Sequence, residues 1–279
     1  MNSTDDKTVL AISSQVVYGS VGLSIAVPCM ESFGFRVLPV PTVILASRPG
    51  LGTYTALEIQ SEDLGKFLLS LRTDGWFDRI SGILTGYFLN PEQVRQVADT
   101  ITLVKEKRKG VVYVCDPVLG DIPEGLYVSE ETGEAVKSHL LPIADLATPN
   151  LFEAFWLTGT EPDPALDTKR LKNLAKSLNV ENHVITSAVP NRIKISSALS
   201  EGDLFSIIEH KRFDDVPKGT GDAFSALMLA NILKSSSLEI AFENSLHQIE
   251  WLAETASGDK TFSETLRRRY KNGLFHKSD

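Results

Sequence analysis

The sequence predicts an α/β fold, a three-layer α/β/α sandwich around a mostly parallel central sheet, and two patterns carry that expectation. Short apolar runs rich in Val, Ile and Leu alternate with longer amphipathic stretches. Strands that alternate with helices pair in parallel, and the helices then cover both faces of the sheet. After residue 192 the pattern changes to short alternating segments, Ile193-Lys194-Ile195 and Leu204 to Ile208, around Glu201-Gly202-Asp203. That is the mark of an antiparallel hairpin at one sheet edge.

Six runs read as strands: Thr8 to Ser13, Arg36 to Leu45, Arg79 to Thr85, Val111 to Cys115, Asp145 to Thr148, and His183 to Ser187. Helices are expected between them at Leu23 to Phe33, Ser61 to Gly75, Pro91 to Lys109, Ser129 to Leu140, Leu151 to Thr158 and Thr168 to Asn179. Pro91 after Asn90 suits the first position of a helix, where the missing N–H is no loss. From Asp222 onward the pattern is helical. With 279 residues, 42% hydrophobic and 23% charged, the chain can bury a large core, and no break in it demands a second domain. Residues 1–279 therefore read as one domain.

The charge balance narrows function. Thirty-six acids against 28 Lys and Arg give a net charge of −8, which argues against a nucleic-acid protein, and Arg267-Arg268-Arg269 is the one dense basic cluster, read as a solvated face or tail. The start, Met1 to Lys7, has no signal-peptide pattern and no apolar stretch is long enough to cross a bilayer, so a cytoplasmic location without membrane attachment is expected. Cys29 and Cys115 are too few for a disulfide framework and read as buried free thiols.

Gly219-Thr220-Gly221-Asp222 opens the apolar helical run Ala223 to Ala230. Two glycines let the backbone turn tightly and aim successive amides at one point, and the free N–H groups of a helix start attract phosphate charge. Asp222 at that mouth suits acceptance of a hydroxyl proton during phosphoryl transfer. A plain turn and helix cap is the alternative reading.

In a parallel sheet, the residues that follow each strand meet at one edge, where ligands bind. Ser14, Gln15, Gly86, Tyr87, Asp116, Asp121, Thr148 and Asn150 hold such positions. Asp116 and Asp121 are hard oxygen ligands suited to Mg²⁺, and equally suited to capping local turns. Asn150 and Glu153 have the spacing of a capping box, which alone accounts for both. The loop Gly120 to Gly125 is the better lid candidate, and Ser47 to Tyr54 reads either as a turn or as a flap. No Gly-x-x-x-x-Gly-Lys-Ser/Thr motif occurs, and Ser20 to Ser24 lacks the third glycine of a dinucleotide fingerprint.

Taken together in order, Ala11 to Gly19, Leu84-Thr85-Gly86-Tyr87, Tyr113 to Asp121, Thr148 to Glu153, Val184 to Ser187 and Gly219 to Asp222 resemble the pyridoxal kinases of the ribokinase-like family of small-molecule kinases. The likeness runs from about Val9 to about Leu233. It implies a ribokinase-like fold and an ATP-dependent kinase that phosphorylates the 5′-hydroxymethyl group of pyridoxal. Ser14 is then expected to bond the pyridine ring, Val21 and Tyr87 to line its pocket, and Asp222 to deprotonate the alcohol. The amides of Gly219, Thr220, Gly221 and Asp222 would cradle the γ-phosphate.

Asp116, Asp121, Asn150 and Glu153 match positions that order Mg²⁺, water and ATP phosphates. Thr148 matches a monovalent-cation position (K⁺ or Na⁺), Thr186 and Ser187 match nucleotide contacts, and Tyr127 falls in the lid. A homodimer is implied as well. Two departures stand on the acceptor side: Gly22-Leu23 where the family has Gly-Asn, and Ser47-Arg48-Pro49 where its flap carries Asn-His-Thr or Asn-His-Pro. They keep two other readings open, a hydroxymethylpyrimidine or other small-alcohol kinase of the same fold and a non-catalytic vitamer binder.

Overall fold

A computed structural model describes residues 7–48, 50, 55–163, 165–188, 194–213, 216–235, 237–256 and 266. Six strands form the parallel centre of its nine-stranded sheet: β1 (Thr8–Tyr18), β2 (Arg36–Ser47), β4 (Ile80–Thr85), β5 (Val112–Cys115), β8 (Leu146–Ala147) and β9 (Asn182–Ile185). Antiparallel strands close both edges. β3 (Ala56–Glu58) pairs with β2, while β10 (Lys194–Glu201) pairs with β9 and with β11 (Leu204–Lys211). The spatial order is β11-β10-β9-β8-β5-β4-β1-β2-β3. A separate two-stranded ribbon, β6 (Gly120–Asp121) with β7 (Gly125–Leu126), stands apart from this sheet.

Alternation along the central strands creates the layers. Leu10, Ile12, Ile83, Tyr113, Cys115 and Ile185 enter one core, and Val9, Ala11, Leu84, Val114 and Val184 enter the other. Successive strand side chains point to opposite faces, so apolar residues in both phases require cover on both sides. The first core is closed by α2 (Ser61–Thr73), α3 (Pro91–Lys107), α4 (Glu130–Ala135), α5 (Leu151–Thr158) and α6 (Thr168–Lys176). The second is closed by α1 (Leu23–Glu31), α7 (Thr220–Lys234) and α8 (Leu238–Thr255).

Local chemistry sets several boundaries. Asn90 caps α3 by accepting from Gln93 N, with Pro91 at the first helical position. Asn150 and Glu153 form the expected reciprocal box at the start of α5, and Gly159 in the left-handed region ends that helix. α4 continues through a wide π turn over Val136–Leu140 and a 3₁₀ turn over Leu141–Ile143, which together fill the stretch expected as one helix to Leu140.

The structure amends the expectations at the acceptor end. β1 runs to Tyr18, so Ser14 and Gln15 lie inside a strand and not after it, and β2 continues to Ser47. Between Ser13 and Gln15 the β1–β2 register shifts, Ser13 facing Pro41 and Gln15 facing Ile44. One extra residue on β2 at this point bends the pair and re-aims the side chains around Ser14. β3, three residues long, was too short to carry an alternation signal. Pro49 and residues 51–54 of the expected flap, Ile193 of the hairpin, Met1 to Asp6 and Arg267 to Arg269 lie outside the described residues. Both cysteines are buried and unpaired, as expected.

Candidate active site

At the C-terminal edge of the sheet, a cleft is lined by Ser13, Gly22, Thr85, Gly86, Asp116 and Asp222. Five separate stretches of sequence meet there. α7 begins at one wall, with Gly219 as its cap at φ 111°. A Cβ on Gly219 would lie 1.6 Å from Ser20 O, so both backbone geometry and packing demand glycine at that position. Gly221 is different, because a Cβ there would meet nothing within 4 Å. Its space opens above the first turn of α7, where unpaired amides face outward.

Asp222 is only partly exposed in this first turn, and its carboxylate accepts from the amide of Gly22 and from its own. Burial outweighs those two bonds and pushes its pKa up to about 6. Gly22 in turn is wedged against β1, since a Cβ there would lie 2.2 Å from Ser14 O and 2.5 Å from Ser14 Oγ. The acid and Ser14 are thereby held on either side of one glycine. Ser14 is 8% exposed, and among the described residues its hydroxyl makes no side-chain hydrogen bond.

Val21 and Tyr87, expected as ring-pocket residues, pack together with Val16, Val43, Leu45 and Ala56 in a small apolar cluster next to the cleft. Tyr87 is fixed from both sides of its peptide: its N–H donates to Ser13 Oγ at 3.0 Å, and its carbonyl accepts from Thr42 Oγ1 at 2.7 Å. The turn before α1, where Leu23 replaces the family's Asn, is pinned by other means. Gln15 Nε2 donates to Ser24 Oγ at 2.7 Å, and Ser24 Oγ donates to Val16 O at 2.7 Å. Leu23 itself is 2% exposed and packs into the core beneath α1.

Across the cleft, Asp116 directly follows β5. Its Oδ2 accepts from Ser225 Oγ at 2.8 Å, and Ser225 Oγ lies 2.7 Å from Thr148 Oγ1. Burial first, then the nearby charges of Glu153 and Asp222, hold the Asp116 carboxyl well above the usual range. A buried carboxyl whose proton affinity is raised by two neighbouring acids is a suitable setting for a cation. Among the described residues no three His, Cys, Asp or Glu side chains gather closely enough to enclose a metal ion. Such a donor set fits Mg²⁺ better than zinc, because Mg²⁺ takes one or two carboxylates and fills its other positions with water and phosphate oxygens.

Glu153 is 2% exposed and committed to the backbone. Oε1 accepts from Leu119 N at 2.7 Å and Gly120 N at 3.5 Å, and Oε2 accepts from Asn150 N at 2.9 Å. Burial pushes its pKa up to about 7 against these three amides. Asn150 ties the same loop from the other side, Nδ2 donating to Gly120 O at 2.8 Å. Glu153 and Asn150 therefore act as the anchor of the β6–β7 ribbon. Asp121 lies on that ribbon, where its Oδ1 accepts from Ile122 N at 2.8 Å. Tyr127 follows the ribbon and is 45% exposed. Thr186 joins Asn150 in an isolated parallel bridge, and Ser187 beside it takes φ 54°.

Sequence reasoning missed two residues. Ser225 links Asp116 to Thr148, and its signal was a hydroxyl inside an otherwise apolar helical run, one turn after Asp222. Lys218 pairs with Glu124 at the tip of the ribbon, Nζ to Oε1 at 3.5 Å, and ties the ribbon to the segment just before α7. Its signal was simple adjacency to Gly219.

Known proteins match this arrangement. A family profile described as phosphomethylpyrimidine kinase covers residues 29–260. A pyridoxine/pyridoxal/pyridoxamine kinase of Bordetella avium is 35% identical over 90% of this chain and 86% of its own. A pyridoxal kinase of Dictyostelium discoideum is 30% identical over 94% and 91%. Among solved structures, pyridoxal kinase from Leishmania donovani in complex with ADP and pyridoxine superposes with a TM-score of 0.86 at 28% identity, covering 95% of this chain and 96% of that one. The ribokinase-like fold and the resemblance to pyridoxal kinases are both borne out by these matches. The chain belongs to the phosphomethylpyrimidine kinase family and is an ATP-dependent phosphotransferase.

Proposed function

We propose that this chain transfers the γ-phosphoryl group of ATP to the 5′-hydroxymethyl group of pyridoxal, giving pyridoxal 5′-phosphate, with pyridoxine and pyridoxamine as further acceptors. The observation that carries this reading is the position of Asp222. Its carboxylate sits at the start of α7, held by the Gly22 amide, with the unlinked Ser14 hydroxyl beyond that glycine and the open space of Gly221 beside it. A flat heteroaromatic ring bonded by Ser14 and packed against Val21 and Tyr87 would present its hydroxymethyl group to this acid.

Asp222, ionised near neutral pH, accepts the hydroxyl proton as the oxygen attacks, and the amides of residues 219–222 receive the charge on the transferred group. The product is an ester and ADP, with no covalent enzyme intermediate. Asp116 and Asp121 are the residues that would hold Mg²⁺, and the Thr148 hydroxyl would help to hold a monovalent cation. When bound, Mg²⁺ supplies charge neutralisation on the β- and γ-phosphates. Asn150, Thr186 and Ser187 face the nucleotide, and Tyr127 with the β6–β7 ribbon excludes water from the phosphates. Residues 1–279 are taken as one kinase domain, working as a cytoplasmic homodimer. No helix among the described residues is long and apolar enough to cross a membrane.

Replacing Asp222 by Asn keeps the shape and removes the proton acceptor. Turnover of pyridoxal with ATP should fall by roughly 10²–10⁴, the usual worth of a positioned base, with pyridoxal binding retained. Unchanged turnover would remove Asp222 from the mechanism. A second reading, a hydroxymethylpyrimidine acceptor, is favoured by the description of the matching family and by Arg48 at the end of β2. Single-turnover phosphorylation of pyridoxal and of hydroxymethylpyrimidine side by side separates the two, and a preference for the pyrimidine would overturn the first.

A further inference from the structure

The opposite edge of the sheet carries a recess that the kinase reaction does not use. It is open to solvent, about 260 Å³ in volume, and lined by Lys7, Thr8, Arg36, Trp76, Asp78, Arg79, Ser81 and Arg108. These residues come from the N-terminal ends of β1, β2 and β4, from the 3₁₀ turn Trp76–Arg79, and from the end of α3. Ser14 lies six residues further along β1 than Thr8, so the recess and the catalytic cleft are about 20 Å apart through the sheet.

Four cations face one acid in this recess, on a chain whose net charge is −8. The acid, Asp78, is already paired with Lys107 at 3.6 Å. Among the described residues none of the four lining cations has a carboxylate partner. Like charges gathered without counter-charges repel, and that cost is relieved when an anion binds between them.

The arginines are also prepared for an anion. Arg36 and Arg79 stand over the Trp76 ring, their guanidinium carbons 5.8 and 5.2 Å from its centroid. Contact with a ring uses the guanidinium face and leaves its in-plane N–H fork free. Among the described residues neither guanidinium has a hydrogen-bond partner. Arg108 is fixed by donating to Asp78 O at 3.1 Å and Ser81 Oγ at 3.2 Å, and Lys7 is fixed on Leu233 O at the end of α7. Positioned donors lose less freedom on binding than mobile surface lysines do.

We propose that this recess is a second ligand site, which binds a small phosphorylated anion. Two free guanidinium forks with two further cations suit a multiply charged tetrahedral group, which takes paired N–H donors on several of its oxygens. The concave shape admits a free small molecule, and a flat anionic surface would not reach the indole.

The test uses full-length protein with its tryptophan indoles labelled with ¹⁵N, and inorganic pyrophosphate as the probe. Trp76, Trp156 and Trp251 give separate N–H signals, and Trp76→Phe assigns the one that reports on the recess. Pyrophosphate should shift the Trp76 signal saturably, and Arg36→Gln/Arg79→Gln should weaken that binding at least tenfold while leaving the Trp156 and Trp251 signals and kinase turnover in place. Arg108→Gln serves as an independent variant should the double substitution disturb folding, with the same weakening expected. Absence of a saturable Trp76 shift, equal affinity in the arginine variants, or tighter binding of citrate than of pyrophosphate would overturn the proposal.

Discussion

Asp222 and Ser225 share one turn of α7 and divide the work of the cleft between them. With Asp222 as the proposed base, a pKa of about 6 means that activity is lost as pH falls through that value, because the protonated carboxyl cannot accept the alcohol proton. The acid limb of kcat/KM for pyridoxal is therefore expected near pH 6, well above an ordinary aspartate, and a limb at pH 4 would contradict the burial argument. Ser225 donates to Asp116 and so favours its ionised form. Ser225→Ala removes a hydrogen bond to a charged group, worth about 1.5–3 kcal/mol. The Mg²⁺ concentration giving half-maximal rate should rise about tenfold or more at pH 7, and by less as pH is raised, because higher pH itself favours the ionised carboxyl. Equal Mg²⁺ titrations for the variant and the parent would show that Asp116 takes no part in metal binding.

The start of α7 is where sequence and structure can be separated most cleanly. The motif Gly219-Thr220-Gly221-Asp222 was legible as a glycine turn before a helix, yet the two glycines do different things. Gly219 is required by φ 111° and by its approach to Ser20, whereas Gly221 is required only by whatever occupies the space above it. Gly219→Ala should accordingly lower both thermal stability and turnover. Gly221→Val should leave the melting temperature close to that of the parent and still abolish turnover, since a branched side chain would fill the phosphate position. Measuring both quantities for both variants checks the cradle, and a stable, active Gly221→Val would relocate it.

The parallel strands and most helices were legible for the same kind of reason, because Val/Ile/Leu runs and amphipathic stretches record burial directly. β3 and the β6–β7 ribbon were not. Three- and two-residue strands show no period, and they are held by long-range partners such as Glu153 and Asn150 that local pattern cannot reveal. Glu153 itself was read correctly as a capping partner, but its second duty toward Leu119 and Gly120 belongs to tertiary structure alone.

Taken as a whole, the protein holds its active site at a cost in stability, and the cost has a definite pH dependence. Asp222 and Glu153 titrate near 6 and 7 in the folded chain, Asp116 is raised as well, and all three have ordinary values near 4 when unfolded. Between those limits the folded state binds more protons, so stability from Asp222 and Glu153 is fully present below about pH 4 and is lost as pH rises through 6 to 7, and Asp116 acts in the same direction. His183 works in the opposite sense. Burial lowers its pKa to about 4, so its contribution is lost as pH falls from 6.5 toward 4. The substitution Asp222→Asn isolates the first effect, because Asn resembles the protonated acid and can still accept from the Gly22 amide. In the absence of ligands it should melt a few degrees above the parent at pH 8, and the gap should shrink as pH falls through 6 and close only near pH 4. Mg²⁺ with a non-hydrolysable ATP analogue should narrow the difference at pH 8 by stabilising the charged parent more than the variant. Equal melting temperatures at pH 8 would mean that the carboxylate is not under strain, and the reactive acid would then have to be sought elsewhere along the cleft.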